Sequence, residues 1–152
     1  MLSKKAKYGL QALLVLTEHY GQGPVLISEI AKQEGIPSKF LELILLALKN
    51  EGLLHSRKGR GGGYQLAKPP TSITVGKVVR ILDGPLAPLP CVSRTAYKRC
   101  DECSDERTCA IRIVMKDVWE ATARILDSTT LADMLERRQA AARGKDVLSF
   151  AI

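Results

Sequence analysis

The chain has 152 residues, of which 45% are apolar and 26% charged, and this composition is ordinary for a soluble globular protein. No apolar run approaches the roughly 18 residues of a membrane span. The N-terminus does not follow the pattern of a signal peptide, so we expect a cytoplasmic protein without a membrane partner. The net charge is +7, and residues 1–68 carry ten cations against five anions. This uneven charge predicts a polyanionic partner for the N-terminal half.

Two helices are predicted at the start of the chain. The first has apolar residues at helical spacing and ends near Gly21; these residues include Leu10, Leu13 and Leu14. The segment ISEIAKQEGI then predicts a short second helix that is capped by Ser28 and followed by a tight turn at Gly35.

A third helix is predicted to begin at Pro37-Ser38 and to end at Gly52. Its buried stripe follows the i, i+3, i+4, i+7 pattern and consists of Leu41, Ile44, Leu45 and Leu48. Its other side is polar and contains Ser38, Lys39, Glu42 and Lys49. A short helix, a glycine turn and an amphipathic helix indicate a helix-turn-helix motif, whose second helix enters the major groove of DNA. Any small helical domain with a helix pair remains an alternative at this point.

A hairpin is predicted directly after these helices. One strand runs over residues 53–57 and the other over residues 64–67, with a glycine-rich tip between them and Pro69-Pro70 at the end. The tip is flanked by Arg57, Lys58 and Arg60. Glycines allow a close approach of the backbone, and the cations suit phosphates or a narrow minor groove. This hairpin is therefore interpreted as a DNA-binding wing.

The glycine-rich tip does not fit a nucleotide site. Tyr64 occupies the place of the last glycine of a GxGxxG motif, and a strand follows where a helix would be needed. The chain also has no paired carboxylates and no nucleophile with a neighbouring base at usable spacing. We therefore expect a protein that is not an enzyme.

The segments KAKYGLQALL, PSKFLELILLALKNEGLL and RKGRGGGYQLAKPP together resemble the winged helix-turn-helix regulators of the Rrf-two family, which includes the IscR, NsrR and CymR types. The resemblance covers nearly the whole chain and implies a homodimeric, DNA-binding transcription factor that often carries an iron–sulfur cluster. It implies a mainly α fold with a small β-hairpin, in which a long C-terminal helix follows the winged domain and mediates dimerisation. The candidate DNA-binding residues are Ser38, Lys39, Phe40, Glu42, Arg57, Lys58, Arg60, Gly61, Gly62 and Tyr64. By resemblance, Glu42 is the residue that discriminates between bases, since a carboxylate can accept a hydrogen bond from cytosine N4.

The C-terminal half is predicted to contain three more helices. The first is a packing helix capped by Thr74, and a proline-rich connector follows it. The second is long, with a nearly heptad stripe that includes Ile111, Val114, Val118 and Ile125. Such a stripe packs either against the winged domain or against a second copy, and the resemblance favours a second copy. The third helix is short, with Thr130 as its cap and Asp133 at the third position.

All four cysteines lie in one hydrophilic stretch with the spacing Cys91-x8-Cys100-x2-Cys103-x5-Cys109. Because this stretch has few apolar residues, it needs a ligand, a crosslink or a partner to become ordered. Thiolates suit iron–sulfur clusters and zinc alike, although structural zinc sites usually contain two C-x2-C knuckles and only one is present here. The spacing also leaves open a dithiol switch and a set of four unligated thiols.

The resemblance favours an iron–sulfur cluster with two irons and two sulfides, held by three cysteines and a fourth ligand. The family usually has five residues in each gap between its cysteines, and only the gap from Cys103 to Cys109 preserves this spacing. The IscR type has a histidine three positions after the last cysteine, where this chain has Arg112. The candidate ligands are therefore all four cysteines, and zinc or no metal remain alternatives. His19 and His55 are expected to be packing or surface residues.

These observations predict four regions: a winged helix-turn-helix domain (1–84), a cysteine-bearing sensor loop (85–109), a dimerisation helix with a short closing helix (110–140) and a partly disordered tail (141–152). We expect a homodimeric repressor that binds an imperfect palindrome of double-stranded DNA and senses iron–sulfur or redox status. A cofactor-free or zinc-bound thiol sensor is the first alternative. An iron–sulfur carrier or redox protein is the alternative from a different class.

Overall fold

The computed structural model of the protein describes residues 2–144. Within these residues there are six α-helices and one antiparallel hairpin: α1 (Lys4–Glu18), α2 (Ile27–Glu34), α3 (Ser38–Asn50), β1 (Leu54–Arg57), β2 (Gly63–Leu66), α4 (Val75–Asp83), α5 (Ala110–Ser128) and α6 (Leu131–Ala142). The predicted fold class, mainly α with a small β-hairpin, is confirmed. Among residues 2–144 there is no helix with the length and apolar character that crossing a membrane would require.

The core lies between α1, α3, α4 and the inner side of the hairpin. The predicted stripe of α3 is fully buried in it, with Leu41, Ile44, Leu45 and Leu48 all 0% exposed. Truncating one such leucine to alanine typically costs roughly 2–5 kcal/mol. This burial fixes the rotation of α3 about its axis, so that its polar side faces outward.

The prediction that Ser28 caps α2 is wrong. The helix begins at Ile27, its N-cap is Leu26, and no side chain makes a capping hydrogen bond there. The start of α2 depends on a contact with a distant part of the chain. Val25 exchanges two backbone hydrogen bonds with Tyr64 of the hairpin, at 2.8 and 2.9 Å. The chain leaves this bridge and turns directly into α2. The predicted turn at Gly35 is confirmed, with a left-handed backbone at φ 65°.

The hairpin pairs Leu54 with Leu66 and Arg57 with Gly63. Each strand begins one residue away from its predicted start, and Gly63 belongs to the sheet because it pairs with Arg57. A Cβ atom at Gly63 would lie 2.1 Å from the carbonyl oxygen of Val25, and the φ of Gly63 is 136°. Only glycine therefore fits where the wing meets the segment that leads into α2.

None of the side chains of α5 is buried within the chain. The four stripe residues Ile111, Val114, Val118 and Ile125 are between 47% and 66% exposed. The alternative in which this stripe packs against the winged domain is therefore wrong. Trp119 lies on a different side of α5 and is half-buried beneath Arg94.

The C-terminal end of α5 is attached to the N-terminal end of α4. The N–H of Val75 donates to the carbonyl of Thr129 at 2.8 Å, and the N–H of Leu131 donates to the carbonyl of Ile73 at 2.9 Å. The helix α6 then begins with a complete capping box between Thr130 and its third residue, and it ends at Ala142, two residues beyond the predicted boundary. Of the predicted disordered tail, residues 145–152 lie outside the described part of the chain.

Candidate nucleic-acid interface and cysteine loop

The outward side of α3 carries most of the residues predicted for base reading. Ser38, Lys39 and Glu42 are exposed, as predicted. At about 100° per residue, Leu43 and Leu46 lie on the same side as Lys39 and Glu42. Leu43 is 64% exposed and Leu46 is 45% exposed. Sequence reasoning missed these two leucines because an apolar residue in an amphipathic helix is normally assigned to the core.

Phe40 has a different environment from the other residues at the start of α3. Its ring is partly buried and packs edge-to-face on Tyr8 of α1, with the two ring centroids 5.7 Å apart. Such aromatic pairs add about 0.5–1.5 kcal/mol beyond their buried area. Phe40 therefore holds the start of α3 against α1, which positions its exposed neighbours.

The wing presents three cations to solvent. Arg57, Lys58 and Arg60 are exposed, and none of them makes an ion pair within residues 2–144. Gly62 is buried at the turn, where a Cβ atom would lie 2.3 Å from the carbonyl oxygen of Arg57. The tip is thus a tight turn that leaves its cations available to an external anion.

Two more of the candidate DNA-binding residues lie in the hairpin. Gly61 is exposed at the tip and has a left-handed backbone with φ 72°. Tyr64 is partly buried against the core, and its backbone makes the bridge to Val25 described above. Gly61 therefore shapes the tip, whereas Tyr64 holds the base of the wing against α2.

The structure brings the four cysteines to one place. Cys91 is buried in a single turn of 3-10 helix (Pro90–Val92), Cys103 and Cys109 are half-buried, and Cys100 is exposed. All four line one cavity of about 290 Å³. Cys91, Cys100 and Cys109 also line a neighbouring cavity of about 410 Å³. The cysteines are therefore neighbours in space although the sequence spreads them over 19 positions.

Arg112 connects two of these cysteines. Cys109 is the N-cap of α5, and its sulfur accepts the backbone N–H of Arg112 at 3.5 Å. The Nε of the same arginine donates to the carbonyl oxygen of Cys91 at 3.3 Å. Arg112 also lines both cavities. The residue that stands in place of the histidine of the IscR type thus binds the backbone beside the cysteines.

Polar contacts within the loop supply part of its order. Arg99 donates to the carbonyl oxygens of Cys103 and Ser104, at 3.1 and 3.3 Å. The guanidinium of Arg107 hydrogen-bonds the carboxylate of Asp105, and this holds the pKa of Asp105 below its ordinary value. These contacts are exposed, so each is worth little on its own.

A further polar contact joins Tyr97 and Glu106, two residues of the cysteine loop. The hydroxyl of Tyr97 donates to the carboxylate of Glu106, and this bond raises the pKa of Tyr97. Tyr97 is 54% exposed, so the contact lies at the surface. Solvent therefore competes for this bond, as it does for the other contacts of the loop.

The donor set of this loop fits a thiolate-bound metal or cluster in its chemistry. Four cysteines line a shared cavity, and thiolate sulfur is the ligand type of iron–sulfur and zinc sites. No three Cys, His, Asp or Glu side chains within residues 2–144 are yet arranged around a single metal position. All four cysteines lie in the described part of the chain, and none forms a disulfide. The loop therefore needs a rearrangement of its side chains to close around a metal.

The two histidines lie outside this cavity. The Nδ1 of His19 hydrogen-bonds the carbonyl oxygen of Val15 at 2.9 Å, at the end of α1. His55 is exposed on β1. Neither histidine lines the cavities of the cysteine loop.

Comparison with known proteins decides the family. The model of the Rrf2 family, described as iron-dependent transcriptional regulators, matches residues 2–137. The chain belongs to the Rrf2 family. An rrf2-like HTH-type regulator of Rhodobacter capsulatus is 44% identical over 94% of this chain and 97% of its own length. The HTH-type regulator CymR of Bacillus subtilis is 35% identical over 88% of each chain.

Solved structures of the Rrf2 family show the same fold. The structure of CymR, the global cysteine regulator of B. subtilis, is similar with a TM-score of 0.76 and 31% identity, over 90% of this chain and 97% of that one. The structure of IscR from T. potens has a TM-score of 0.73 and 31% identity, over 99% of this chain and 94% of that one. The protein is therefore a DNA-binding transcriptional regulator and not an enzyme, as the sequence predicts.

Proposed function

We propose that this Rrf2-family regulator binds an imperfect palindrome as a homodimer and represses transcription in response to iron–sulfur or redox status. The observation that carries the DNA-binding part is that the fold holds two elements in place and leaves their polar or cationic residues exposed. The buried stripe of α3 turns its polar side outward, and the bridge from Val25 to Tyr64 ties the cationic wing to the segment before α2. A recognition helix and a wing held in this way are the two contacts that a winged helix-turn-helix domain makes with DNA.

Residues at the start of α3 are proposed to read the major groove. Glu42 is exposed and can accept a hydrogen bond from cytosine N4. Ser38 and Lys39 lie in the first turn of the helix, where backbone N–H groups and a cation favour phosphate. Leu43 lies one position beyond Glu42 on the same side, and its exposed side chain suits the methyl group of thymine.

Arg57, Lys58 and Arg60 are proposed to contact phosphates or the minor groove. The test is the salt dependence of binding to a selected palindrome. Each lost phosphate contact lowers the slope of log affinity against log salt by about one unit. Arg60→Ala is expected to show this loss, whereas Arg143→Ala, which removes the same charge at the end of α6, is expected to leave the slope unchanged. An unchanged slope for Arg60→Ala would remove the wing from the interface.

Homodimerisation is proposed to cover the apolar stripe of α5. This stripe has no partner within the described chain, although its four residues are Val and Ile side chains on one side of a 19-residue helix. A C2 dimer places the same stripe on both sides of the interface. Two winged domains then face two half-sites of a palindrome.

The cysteine loop is proposed to be the sensor, with Cys91, Cys100, Cys103 and Cys109 as the ligands of an iron–sulfur cluster. A bound cluster would supply a redox-active and chemically labile group. The support is the cavity that the four cysteines line together, along with the family's iron-dependent description. A cofactor-free or zinc-bound thiol sensor uses the same four residues and remains the competing version of this proposal.

The same loop is connected to the DNA-binding domain through α5. Cys109 caps the N-terminal end of this helix, and Asp127 near its C-terminal end binds Arg80 of α4 at 2.5 and 2.9 Å. A displacement of Cys109 therefore moves the first turn of a helix whose other end is fixed to the winged domain. This path gives the sensor a mechanical route to α3, because α4 packs against α3.

Purification without oxygen, followed by an absorption spectrum and analysis of iron, sulfide and zinc, tests the sensor. Visible absorption with iron and sulfide in equal amounts would support the cluster, and its loss in Cys109→Ser would support the ligand set. Zinc without sulfide would support the zinc-bound version. Colourless protein free of metal would refute the cluster while leaving the DNA-binding proposal intact.

A further inference from the structure

A third cavity, of about 460 Å³, lies between α4, the connector of residues 84–95 and α5. We call it the arginine pocket and define it by Arg80, Ser93, Arg94, Trp119 and Arg124. Ser93 and Arg94 belong to the same segment as the cysteines, but the pocket shares no lining residue with the two cavities that the cysteines line. Its volume lies within the range of about 300–1,000 Å³ that is usual for small-molecule sites. The three arginines come from three separate segments of the chain.

Two of these arginines have no anionic partner. Asp127 also borders the pocket, but it binds Arg80 through two hydrogen bonds. Glu120 borders it as well, and its Oε1 lies 3.9 Å from the Nζ of the lysine one turn earlier. Arg94 and Arg124 make no ion pair with any residue between 2 and 144. The pocket therefore has two guanidinium groups available to an external anion.

The position of Arg94 is held by an aromatic ring. Its guanidinium carbon lies 4.9 Å from the ring centroid of Trp119. Stacking on a ring occupies the face of a guanidinium group and leaves its N–H edge available, and this edge matches a carboxylate in a bidentate manner. The entropy that Arg94 would lose on binding an anion is thereby reduced, because the ring already restricts it.

Ser93, the residue next to Arg94, adds a hydrogen-bond donor to the pocket. It is buried, with 7% of its surface exposed, and its hydroxyl oxygen accepts the N–H of Ala96 at 2.9 Å. A hydroxyl that accepts one hydrogen bond still has its own proton to donate. The hydroxyl proton of Ser93 has no acceptor among the described residues, and Ser93 lines the pocket.

The lining residues that α5 contributes to the pocket lie away from the apolar stripe of this helix. At about 100° per residue, Glu120, Arg124 and Asp127 lie roughly 110–170° around the helix from the centre of that stripe. The pocket and the proposed seam therefore occupy different sides of α5. A ligand could enter the pocket while the two copies remain paired.

We propose that the arginine pocket binds a small organic acid with two carboxylate groups. Arg94 would bind one carboxylate through its free edge, and Arg124 would bind the other. Ser93 would donate a hydrogen bond to the carboxylate nearer the connector. Because the pocket walls belong to both α4 and α5, its occupant contacts the winged domain and the dimerisation helix together. The pocket is thus a candidate effector site that does not depend on the chemistry of the cysteines.

The chain offers a direct probe of this pocket, because Trp119 is its only tryptophan. Succinate is titrated into the full-length protein at an ionic strength held constant with KCl, and tryptophan emission is recorded. We expect a saturable change in emission with succinate and none with acetate. Arg124→Gln is expected to weaken the binding by roughly tenfold or more, the usual effect of losing a charge-assisted hydrogen bond.

Arg107→Gln is the matched control, because it removes the same charge from an exposed side chain of the cysteine loop. It is expected to leave the succinate affinity unchanged. Arg124 is exposed, so its replacement does not disturb the core. A linear response to succinate, or equal weakening by both variants, would mean that Arg94 and Arg124 are solvated surface cations and would overturn the proposal. Inorganic phosphate binding as tightly as succinate would overturn the assignment to dicarboxylates.

Discussion

Replacing Val118 by aspartate tests the dimer most directly. Val118 is 47% exposed in the single chain, in the middle of the uncovered stripe of α5. Burying a whole Val or Ile side chain is worth about 1.5–3 kcal/mol, so covering the remaining half of four such side chains on each copy contributes roughly 6–12 kcal/mol. Association itself costs about 4–15 kcal/mol. The two free energies are of similar size, so we expect the proposed dimer to be sensitive to a single change in the stripe.

In a symmetric dimer the change occurs twice. Losing two half-buried valines removes roughly 1.5–3 kcal/mol, which corresponds to about 10- to 150-fold in the dissociation constant. Two carboxylates brought into the seam add a desolvation penalty and mutual repulsion. We expect Val118→Asp to sediment as a monomer at micromolar concentrations at which the parent protein is a dimer. Because Val118 is not part of the buried core, the far-ultraviolet circular dichroism of the variant is expected to be unchanged.

Ile113→Asp is the control for this experiment. Ile113 is 49% exposed, nearly the same as Val118, but it lies about 140° away around α5. It is expected to leave the dimer intact. Equal dissociation by both variants, or a parent protein that sediments as a monomer, would refute the assignment of the stripe to the interface.

Three further predictions concern the wing, the recognition helix and the junction of α4 with α5. Gly63→Ala is expected to lower the free energy of unfolding by roughly 1–3 kcal/mol in urea titrations, because its Cβ atom would meet the carbonyl of Val25; unchanged stability would show that the bridge yields easily. Leu43→Ala is expected to weaken binding to the selected palindrome without changing the salt slope, and to relax the preference for thymine at one position of each half-site; a changed slope would contradict an apolar base contact. The third prediction concerns Asp127, whose pKa is lowered by its hydrogen bond to Arg80. A depressed pKa contributes stability above the unfolded value, and this contribution is lost as the pH falls through the lower folded value. Asp127→Asn is therefore expected to cost about 0.5–1 kcal/mol at neutral pH, since both side chains are partly exposed. This difference from the parent protein should disappear as the pH falls below 3.8, and a difference that is independent of pH would contradict the ion pair.

The cysteine loop and the arginine pocket are both connected to the winged domain at the junction of α4 with α5. Gly76 lies in the first turn of α4, and a Cβ atom there would lie 2.0 Å from the carboxylate of Asp127. Asp127 thus approaches the positive end of α4 closely and pairs with Arg80 one turn later. We propose that changes at either site reach the winged domain through this contact.

Local pattern in the sequence was enough to predict the helices, the stripe of α3 and the wing. The i, i+3, i+4, i+7 spacing of Leu41, Ile44, Leu45 and Leu48 determines which side of α3 is buried, whatever its partner. The glycines and cations of the tip likewise predict a tight, positively charged turn. The sequence also placed all four cysteines in one hydrophilic stretch, and its resemblance to a known family implied the class of regulator.

Other features depend on contacts between distant residues and were settled only by the tertiary structure. The start of α2 at Ile27 follows from the bridge between Val25 and Tyr64, which lie 39 positions apart, and no local capping rule contains that information. The exposure of Leu43 also depends on tertiary contacts, because only the packing of the core shows which side of α3 remains exposed to solvent. The cavity shared by the four cysteines, and the pocket formed by Arg94, Trp119 and Arg124, arise where the connector folds back on α5. The elements and their chemistry thus follow from local sequence, whereas the contacts between side chains follow from the packing of segments that are far apart in the chain.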